Sequence, residues 1–165
     1  MIAFDLDGCL IDSENLIRQA YRDAGAEPPP GFLALGHHDW ITGDRAAVHA
    51  RKDAAYLQRL AAEPFAPLPP WRAAEQLYDA GHVVGLLTSA PAGTVRVLMR
   101  RMVSWPFTIA CDALTPADKS AWLASAADTG VYVDDQQYVI PPPRWRFVHY
   151  TGQDAGELAR QVTCP

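Results

Sequence analysis

Five short apolar runs of strand length lie along this chain, and none alternates apolar and polar residues as a half-exposed strand would. The runs cover residues 1–5, 83–88, 107–111, 131–134 and 147–150. Strands buried on both faces need no such alternation, and parallel sheets are covered on both faces by helices. Helical patterns separate the runs, so we predict an α/β fold with a parallel sheet of about five strands and helices on both faces.

Three of the intervening helices have recognisable starts. The first is predicted to begin near Ser13, whose hydroxyl would cap the first turn, and to end near Gly25. Its apolar positions fall on one helical face: Leu16, Ile17, Ala20, Tyr21 and Ala24. Two further helices are predicted after Pro91 and after Pro116.

The first two apolar runs are about eighty residues apart, which is too far for one crossover helix. Prolines at 28–30 and between 64 and 70 bracket a central helix at about residues 43–62 and stiffen its connections. We therefore predict a small helical cap over residues 13–70, above the carboxyl ends of the strands. Residues 1–12 and 71–165 would then form the core domain.

The first run ends in two carboxylates, Asp5 and Asp7, followed by Gly8. Neighbouring anions repel unless a cation lies between them, so this pair indicates a hard divalent metal. Gly8 permits a tight turn behind the carboxylates. The alternative interpretation is a polar turn without a metal.

Three later positions also place polar groups at or near strand ends. Thr88 ends the second run and Ser89 follows it. Lys119 lies in the helix predicted after Pro116, and Asp134 ends the fourth run, with Asp135 next to it. Each also has an ordinary explanation by itself. The hydroxyl of Thr88 would cap the next helix, Lys119 would face solvent, and the two aspartates would form an acidic turn. Open α/β sheets, however, bind ligands at the carboxyl ends of their strands.

In this order the motifs resemble those of the haloacid dehalogenase superfamily of aspartate-nucleophile phosphohydrolases. The resemblance depends on the Asp-x-Asp-Gly-x-Leu start at residues 5–10, the strand-end Thr88, the isolated Lys119 and the late Asp-Asp pair. It covers nearly the whole chain outside the predicted cap. It implies a Rossmann-like core with an inserted cap.

The resemblance also implies roles for the carboxylates. Asp5 would attack phosphorus and form an aspartyl-phosphate, while Asp7 would protonate the leaving oxygen and then activate water. Asp135, the Asp5 carboxylate and the Asp7 backbone carbonyl would hold Mg²⁺. Asp134 would support a metal-bound water, although the roles of Asp134 and Asp135 could be exchanged.

Thr88, Ser89 and Lys119 would hold the phosphate, with Mg²⁺ and Lys119 offsetting its charge. Since a halide leaving group needs no proton, the acid at Asp7 favours phosphomonoester hydrolysis over dehalogenation. The Thr-Ser and Asp-Asp pairs also resemble the compact 5'-nucleotidase branch. The expected partner is a small phosphorylated substrate, either a nucleotide or a sugar phosphate, with phosphoglycolate still open.

Two alternatives stay open at this point. One is a catalytically silent module of the same fold that binds a phosphorylated ligand or a partner protein. Retention of both Asp5 and Asp7 counts against it, because a binding module has no use for an acid/base. The other is phosphotransfer to an acceptor other than water.

The central cap helix offers candidates for substrate recognition, including Arg45 and Lys52. These two share one helical face with His49, Tyr56 and Arg59, and the opposite face carries alanines and a leucine at positions 47, 50, 54, 57 and 61. The basic face would either recognise an acidic or phosphorylated substrate or be a solvated surface.

The segment 36–40 contains two histidines, an aspartate and Trp40. Zinc binding is one interpretation, but a third ligand is not suitably spaced. We expect a loop whose tryptophan packs in the cap.

Charge and composition narrow the functional class further. A formal net charge of -5 argues against a protein that coats duplex nucleic acid. No basic segment precedes an apolar leader, no apolar stretch has the length of a membrane span, and the three cysteines are far apart. These features predict a cytoplasmic protein.

Overall fold

The computed structural model describes residues 1–35, 40–126 and 129–164. Within them the strands are β1 (Ile2–Phe4), β2 (Ile11–Asp12), β3 (Ala66–Pro67), β4 (Val84–Leu87), β5 (Ile109–Cys111), β6 (Gly130–Asp134) and β7 (Trp145–His149). The helices are α1 (Glu14–Asp23), α2 (Arg45–Ala62), α3 (Pro69–Asp79), α4 (Thr94–Arg101), α5 (Pro116–Ala126) and α6 (Ala155–Thr163), with a 3-10 turn at Phe32–Leu35.

The predicted parallel sheet is confirmed. It has five strands in the order β5-β4-β1-β6-β7, and every neighbouring pair is parallel. The central strand β1 aligns Ala3 with Gly85 of β4 and with Tyr132 of β6. Because all five strands run in the same direction, their carboxyl ends meet at one edge.

Helices cover both faces of this sheet, as the uninterrupted apolar runs predict. Ile2 and Phe4 belong to the same buried cluster as Leu77 of α3 and Leu158 of α6. Ala3 points the opposite way and belongs to a second cluster with Leu123 of α5. The Rossmann-like α/β architecture therefore follows directly from β1 being buried on both sides.

Two helices, α3 and α6, were not predicted. Both begin with recognisable signals: Pro69 and Pro70 form the first turn of α3, where a missing N–H costs nothing. At α6 the Asp154 carboxylate accepts a hydrogen bond of 2.8 Å from the Glu157 amide. Both helices also bury apolar residues at helical spacing, Trp71, Ala74 and Leu77 in α3 and Leu158 and Val162 in α6, so the sequence carried a signal for them.

The predicted apolar face of α1 is confirmed, but its predicted cap is wrong. Leu16, Ile17, Ala20 and Tyr21 are buried, whereas the Ser13 hydroxyl makes no capping hydrogen bond. Ser13 has φ -109° and ψ 0°, outside the extended geometry that places a side-chain oxygen over the first helical amides.

Residues 13–70 leave and rejoin the core at adjacent points, because β2 and β3 form an antiparallel pair. Within this segment α1 packs against α2. The Arg51 guanidinium donates a hydrogen bond of 2.9 Å to the Ala24 carbonyl, and Arg59 pairs with Asp23 at 2.7 Å. The bounds of the cap, 13 and 70, stay a prediction.

Helix α2 is turned relative to the predicted apolar stripe. Its buried residues are Val48, Tyr56 and Leu60, while Ala54 and Ala61 of the stripe are exposed. An alanine has little apolar area, so its burial contributes less free energy than that of a valine, tyrosine or leucine. The larger side chains therefore decide which face of α2 packs against the molecule.

Trp40 packs among aromatic side chains of the cap, with ring centroids 4.9 Å from Tyr21 and 6.2 Å from Phe32. The rest of its predicted loop, residues 36–39, lies outside the described residues. The histidines and the aspartate of the zinc interpretation belong to this segment. None of the helices in the described ranges is long and apolar enough to cross a membrane.

Candidate active site

The polar residues predicted at the strand ends lie together at one edge of the sheet. Asp5 follows β1, Thr88 follows β4 and Asp134 ends β6. These side chains, together with Asp7 and Lys119, line one cavity of about 520 Å³. The parallel strand order brings together residues that are up to 129 positions apart in the sequence.

Three carboxylates form a compact cluster in this cavity: Asp5, Asp134 and Asp135 each offer an oxygen within 4.8 Å of the others. Asp134 accepts hydrogen bonds from the Tyr132 hydroxyl at 2.7 Å and the Gln136 amide at 2.9 Å. Asp135 Oδ1 is buried and has no hydrogen-bond partner among the described residues. A hard oxygen set with one unsatisfied buried oxygen fits Mg²⁺.

Burial and the nearby Asp5 charge raise the pKa values of two acids of the cluster, Asp134 and Asp135. The pKa of Asp134 rises to about 7, first because of burial and then because of the Asp5 charge. Burial also raises the pKa of Asp135. A bound cation would relieve this repulsion and favour the ionised carboxylates.

Lys119 reaches the cluster from α5 and is only 3% exposed. Its Nζ donates hydrogen bonds to Asp5 Oδ1 at 2.6 Å and to the Tyr132 hydroxyl at 3.3 Å. Burial lowers the pKa of Lys119, but the charges of Asp5 and Asp134 outweigh it, and the net shift is upward. Lys119 therefore stays cationic, which fits the binding of an anionic group.

Asp7 lies across the cavity and contacts α2 of the predicted cap. The Tyr56 hydroxyl donates a hydrogen bond of 2.7 Å to Asp7 Oδ1, and Tyr56 is 1% exposed. Burial raises the pKa of Asp7 in spite of this hydrogen bond. A carboxyl group with a raised pKa can carry a proton to a leaving group, as a general acid must.

Gly8 makes room for the Asp135 carboxylate. Its φ is +79°, and a Cβ at this position would lie 2.6 Å from Asp135 Oδ2. The predicted tight turn is present, and the missing side chain also permits close approach of β6 to the first loop.

Thr88 is buried, and its Oγ1 accepts a hydrogen bond of 3.0 Å from the Ala90 amide. The alternative of a helix N-cap is wrong, because the N-cap of α4 is Gly93. Ser89 is exposed and also lines the cavity. Both hydroxyls thus lie where they can contact a bound anion.

The predicted cap contributes one wall of the cavity, which we call the cap wall. Its members include Tyr21, Phe32, His49, Lys52, Asp53 and Tyr56. Of the two proposed recognition residues, Lys52 lies on this wall. Arg45 is exposed at the start of α2 and is not among the described residues that line the cavity.

Sequence reasoning did not single out Tyr132, Asp53 or the contact between Tyr56 and Asp7. Tyr132 stands two positions before Asp134 on a strand, so both side chains point to the same face, and this spacing could have revealed the pair. Tyr56 and Asp7 are 49 positions apart, and no local pattern connects them.

No protein-family model matches the sequence, and no curated protein matches it. Solved structures do match the fold. CbbY from Rhodobacter sphaeroides, in complex with phosphate, is 19% identical with a TM-score of 0.63, and the match covers 93% of this chain and 91% of that one. A structure from Haemophilus somnus, described as a predicted phosphoglycolate phosphatase, is 16% identical with a TM-score of 0.61 and coverages of 99% and 97%.

A hydrolase of the haloacid dehalogenase superfamily from Ehrlichia chaffeensis also matches, with 10% identity, a TM-score of 0.54 and coverages of 98% and 94%. The fold predicted from the ordered motifs is confirmed: the chain has the architecture of this superfamily. At sequence identities this low, the similarity shows a shared fold and nothing more.

Proposed function

We propose that this chain, which has the haloacid dehalogenase fold, is a Mg²⁺-dependent phosphatase that hydrolyses a small phosphomonoester through an aspartyl-phosphate. One observation carries the proposal. The Asp5 carboxylate receives a hydrogen bond of 2.6 Å from Lys119 and lies within 4.8 Å of two further carboxylates, inside a cavity large enough for a small ligand.

Asp5 acts as the nucleophile. One of its carboxylate oxygens forms a bond to phosphorus while the bond from phosphorus to the ester oxygen breaks. Lys119 orients the Asp5 carboxylate and neutralises part of the charge that the phosphoryl oxygens bring into the cavity.

Asp7 supplies the proton that the departing ester oxygen takes up. Once deprotonated, it accepts a proton from the water that attacks the aspartyl-phosphate, which regenerates Asp5 and releases phosphate. The contact with Tyr56 orients the Asp7 carboxyl.

Asp135, the Asp5 carboxylate and the Asp7 backbone carbonyl would hold Mg²⁺, and Asp134 would support a bound water. The unpartnered Oδ1 of Asp135 and the hydrogen bonds already made to Asp134 favour this assignment over the exchanged one. The ion supplies positive charge that lets an anionic phosphate approach three carboxylates.

Thr88 and Ser89 contribute hydroxyl groups to the phosphate site. Lys119 contributes the charge. The CbbY structure named above contains phosphate, and a CbbY variant from the same organism, 15% identical with a TM-score of 0.60, contains xylulose-1,5-bisphosphate. These ligands support a phosphorylated substrate for this chain. A sugar phosphate and a nucleotide are both candidates.

The test is hydrolysis of a panel of phosphomonoesters with Mg²⁺ and with EDTA, for wild type and Asp5→Asn. We expect activity in Mg²⁺, none in EDTA, and a loss of at least about 10³-fold in Asp5→Asn. The matched control is Asp79→Asn, the same exchange at an exposed residue of α3, which keeps wild-type activity. An inactive wild type, or an active Asp5→Asn, would contradict the proposal.

A second measurement separates hydrolysis from transfer. If phosphate is released to water at the same rate as the alcohol, the acceptor is water. Slower phosphate release, with a new phosphate ester formed from an added alcohol, would identify a phosphotransferase instead.

A further inference from the structure

The described residues that line the cavity carry an excess of negative charge. Five are carboxylates: Asp5, Asp7, Asp53, Asp134 and Asp135. The same described residues include two lysines: Lys119, which pairs with Asp5, and Lys52. A bound Mg²⁺ and Lys119 both act at the phosphate site, so the rest of the cavity depends on Lys52 for positive charge.

Lys52 is paired within the cap wall. Its Nζ lies 2.6 Å from Asp53 Oδ1, and the Lys52 side chain is 17% exposed against 44% for Asp53. The ammonium also lies over the Tyr21 ring, 5.5 Å from its centroid. Lys52 is therefore held between a carboxylate and an aromatic face, which offset part of its charge before a ligand arrives.

His49, the other titratable nitrogen on this wall, adds little charge. Its burial, and then the charge of Lys52, lower the pKa of His49. The remaining surface includes apolar and aromatic side chains: Ile17, Tyr21, Phe32 and Leu33. Such a wall accommodates an uncharged organic group by removing apolar area from water.

We infer that the cap wall selects phosphomonoesters whose organic part is uncharged, and that Asp53 determines this specificity by pairing with Lys52. The inference rests on the proposed phosphatase activity. It excludes as good substrates compounds with a second anionic group near the cap, such as bisphosphates and phosphorylated carboxylic acids. A second anion would meet Asp53 and the other cavity carboxylates without an unpaired cation among the described lining residues.

The test compares two synthetic substrates that differ only in charge, 4-carbamoylbenzyl phosphate and 4-carboxybenzyl phosphate, in the presence of Mg²⁺. The aromatic ring suits the cap wall, and the amide and carboxylate have nearly the same shape. For wild type we expect kcat/KM to be about tenfold or more higher for the amide, because one unpaired charge in a partly buried site has an effect of that order. Equal values, or a preference for the carboxylate, would overturn the inference.

Two variants should change the ratio of kcat/KM for the amide to kcat/KM for the carboxylate, and they should change it in opposite directions. Asp53→Asn leaves Lys52 without its carboxylate partner, so the ammonium can pair with the substrate carboxylate. This variant should reduce the preference for the amide at least about fivefold. Lys52→Gln leaves Asp53 without its partner and should increase the preference. Circular dichroism confirms that each variant is folded, and the opposite signs separate charge from general damage to the site.

Asp23→Asn is the matched control. It also removes the carboxylate of an ion pair with α2, that of Arg59, but Asp23 is not among the described residues that line the cavity. It should keep the wild-type ratio. If Asp53→Asn and Asp23→Asn give the same ratio as wild type, Asp53 does not determine specificity and the inference fails.

Failure of the inference about the cap wall can be told apart from failure of the proposed phosphatase activity. If wild type hydrolyses no phosphomonoester, including p-nitrophenyl phosphate, the phosphatase proposal fails. If it hydrolyses p-nitrophenyl phosphate but prefers the carboxylate of the matched pair, the phosphatase proposal stands and the inference about the cap wall is overturned.

Discussion

Among the individual residues of the site, Asp135 owes its position to the absence of a side chain at Gly8. A methyl group there would lie 2.6 Å from Asp135 Oδ2, well inside van der Waals contact. The same glycine has a positive φ, so two separate constraints act on one residue.

We expect Gly8→Ala to displace Asp135 and to weaken Mg²⁺ binding about tenfold or more, since ligand geometry controls affinity. Isothermal titration with Mg²⁺ measures this. Gly25→Ala is the control, because Gly25 has φ +85° but no atom lies within 4 Å of the place that an added Cβ would take. Both variants lose about 1–2 kcal/mol of stability from backbone strain, but only Gly8→Ala should lose affinity. Equal Mg²⁺ affinities would contradict this account of Gly8.

Tyr56 is the second residue whose role depends on one contact, its hydrogen bond to Asp7. We expect Tyr56→Phe to slow hydrolysis of an alkyl phosphate about ten- to a hundredfold, the effect of losing a hydrogen bond to an ionisable group. Hydrolysis of p-nitrophenyl phosphate should change much less, because its leaving group needs no proton.

The measurement is kcat/KM for both substrates, with Tyr78→Phe as the control. This constant covers the steps up to departure of the alcohol and excludes the later attack of water, in which Asp7 serves both substrates alike. Tyr78 is an exposed tyrosine of α3 and should behave as wild type. If Tyr56→Phe slows both substrates equally, Tyr56 supports the structure of the cavity and does not position Asp7.

Among the helices and strands, α2 shows that periodicity alone did not identify the buried face. The alanine stripe and the face containing Tyr56 both repeat at helical spacing, and the structure buries the latter. The reason is the larger apolar area of Val48, Tyr56 and Leu60. This orientation places Lys52 and Tyr56 on the cap wall.

We expect Leu60→Ala to destabilise the protein by about 2–5 kcal/mol, as is usual for a fully buried leucine. Ala54→Glu, on the predicted stripe, should change stability by no more than about 0.5 kcal/mol because Ala54 is exposed. Chemical denaturation of both variants checks this. A large loss for Ala54→Glu would mean that the stripe is buried after all.

Across the molecule as a whole, the net charge of -5 is distributed unevenly. Asp5, Asp134 and Asp135 concentrate negative charge at one edge of the sheet, and the pKa of Asp134 rises to about 7 as a result of burial and the Asp5 charge. A proton would therefore compete with a bound cation for this cluster near neutral pH.

We expect Mg²⁺ to raise the melting temperature, and to raise it more at pH 8 than at pH 6. At pH 6, below the pKa of about 7, the bound proton must leave, which weakens Mg²⁺ binding about tenfold. The shift should then be about 3–6 °C smaller than at pH 8. Asp134→Asn should reduce the pH dependence. Equal shifts for wild type at both pH values would contradict the titration of Asp134.

The strand ends and their polar residues could be predicted from local patterns. Asp5, Thr88 and Asp134 each follow an apolar run, and a parallel sheet brings such positions to one edge. The predicted strands agree with the observed ones to within about two residues at each end. Whether Ser13 caps α1 could not be predicted from local patterns. Capping depends on backbone angles that the residue type does not determine.

Local sequence patterns were enough to predict the α/β class and the gathering of polar residues at one edge of the sheet, because burial on both faces and strand-end placement are local properties of the chain. Three features emerged only from the folded molecule: Tyr56 contacts Asp7, Lys52 pairs with Asp53 on the cap wall, and α2 buries the face that contains Tyr56. These contacts depend on how the cap packs against the core. That packing is a competition between faces of similar periodicity, and the free energy of burying large side chains resolves it.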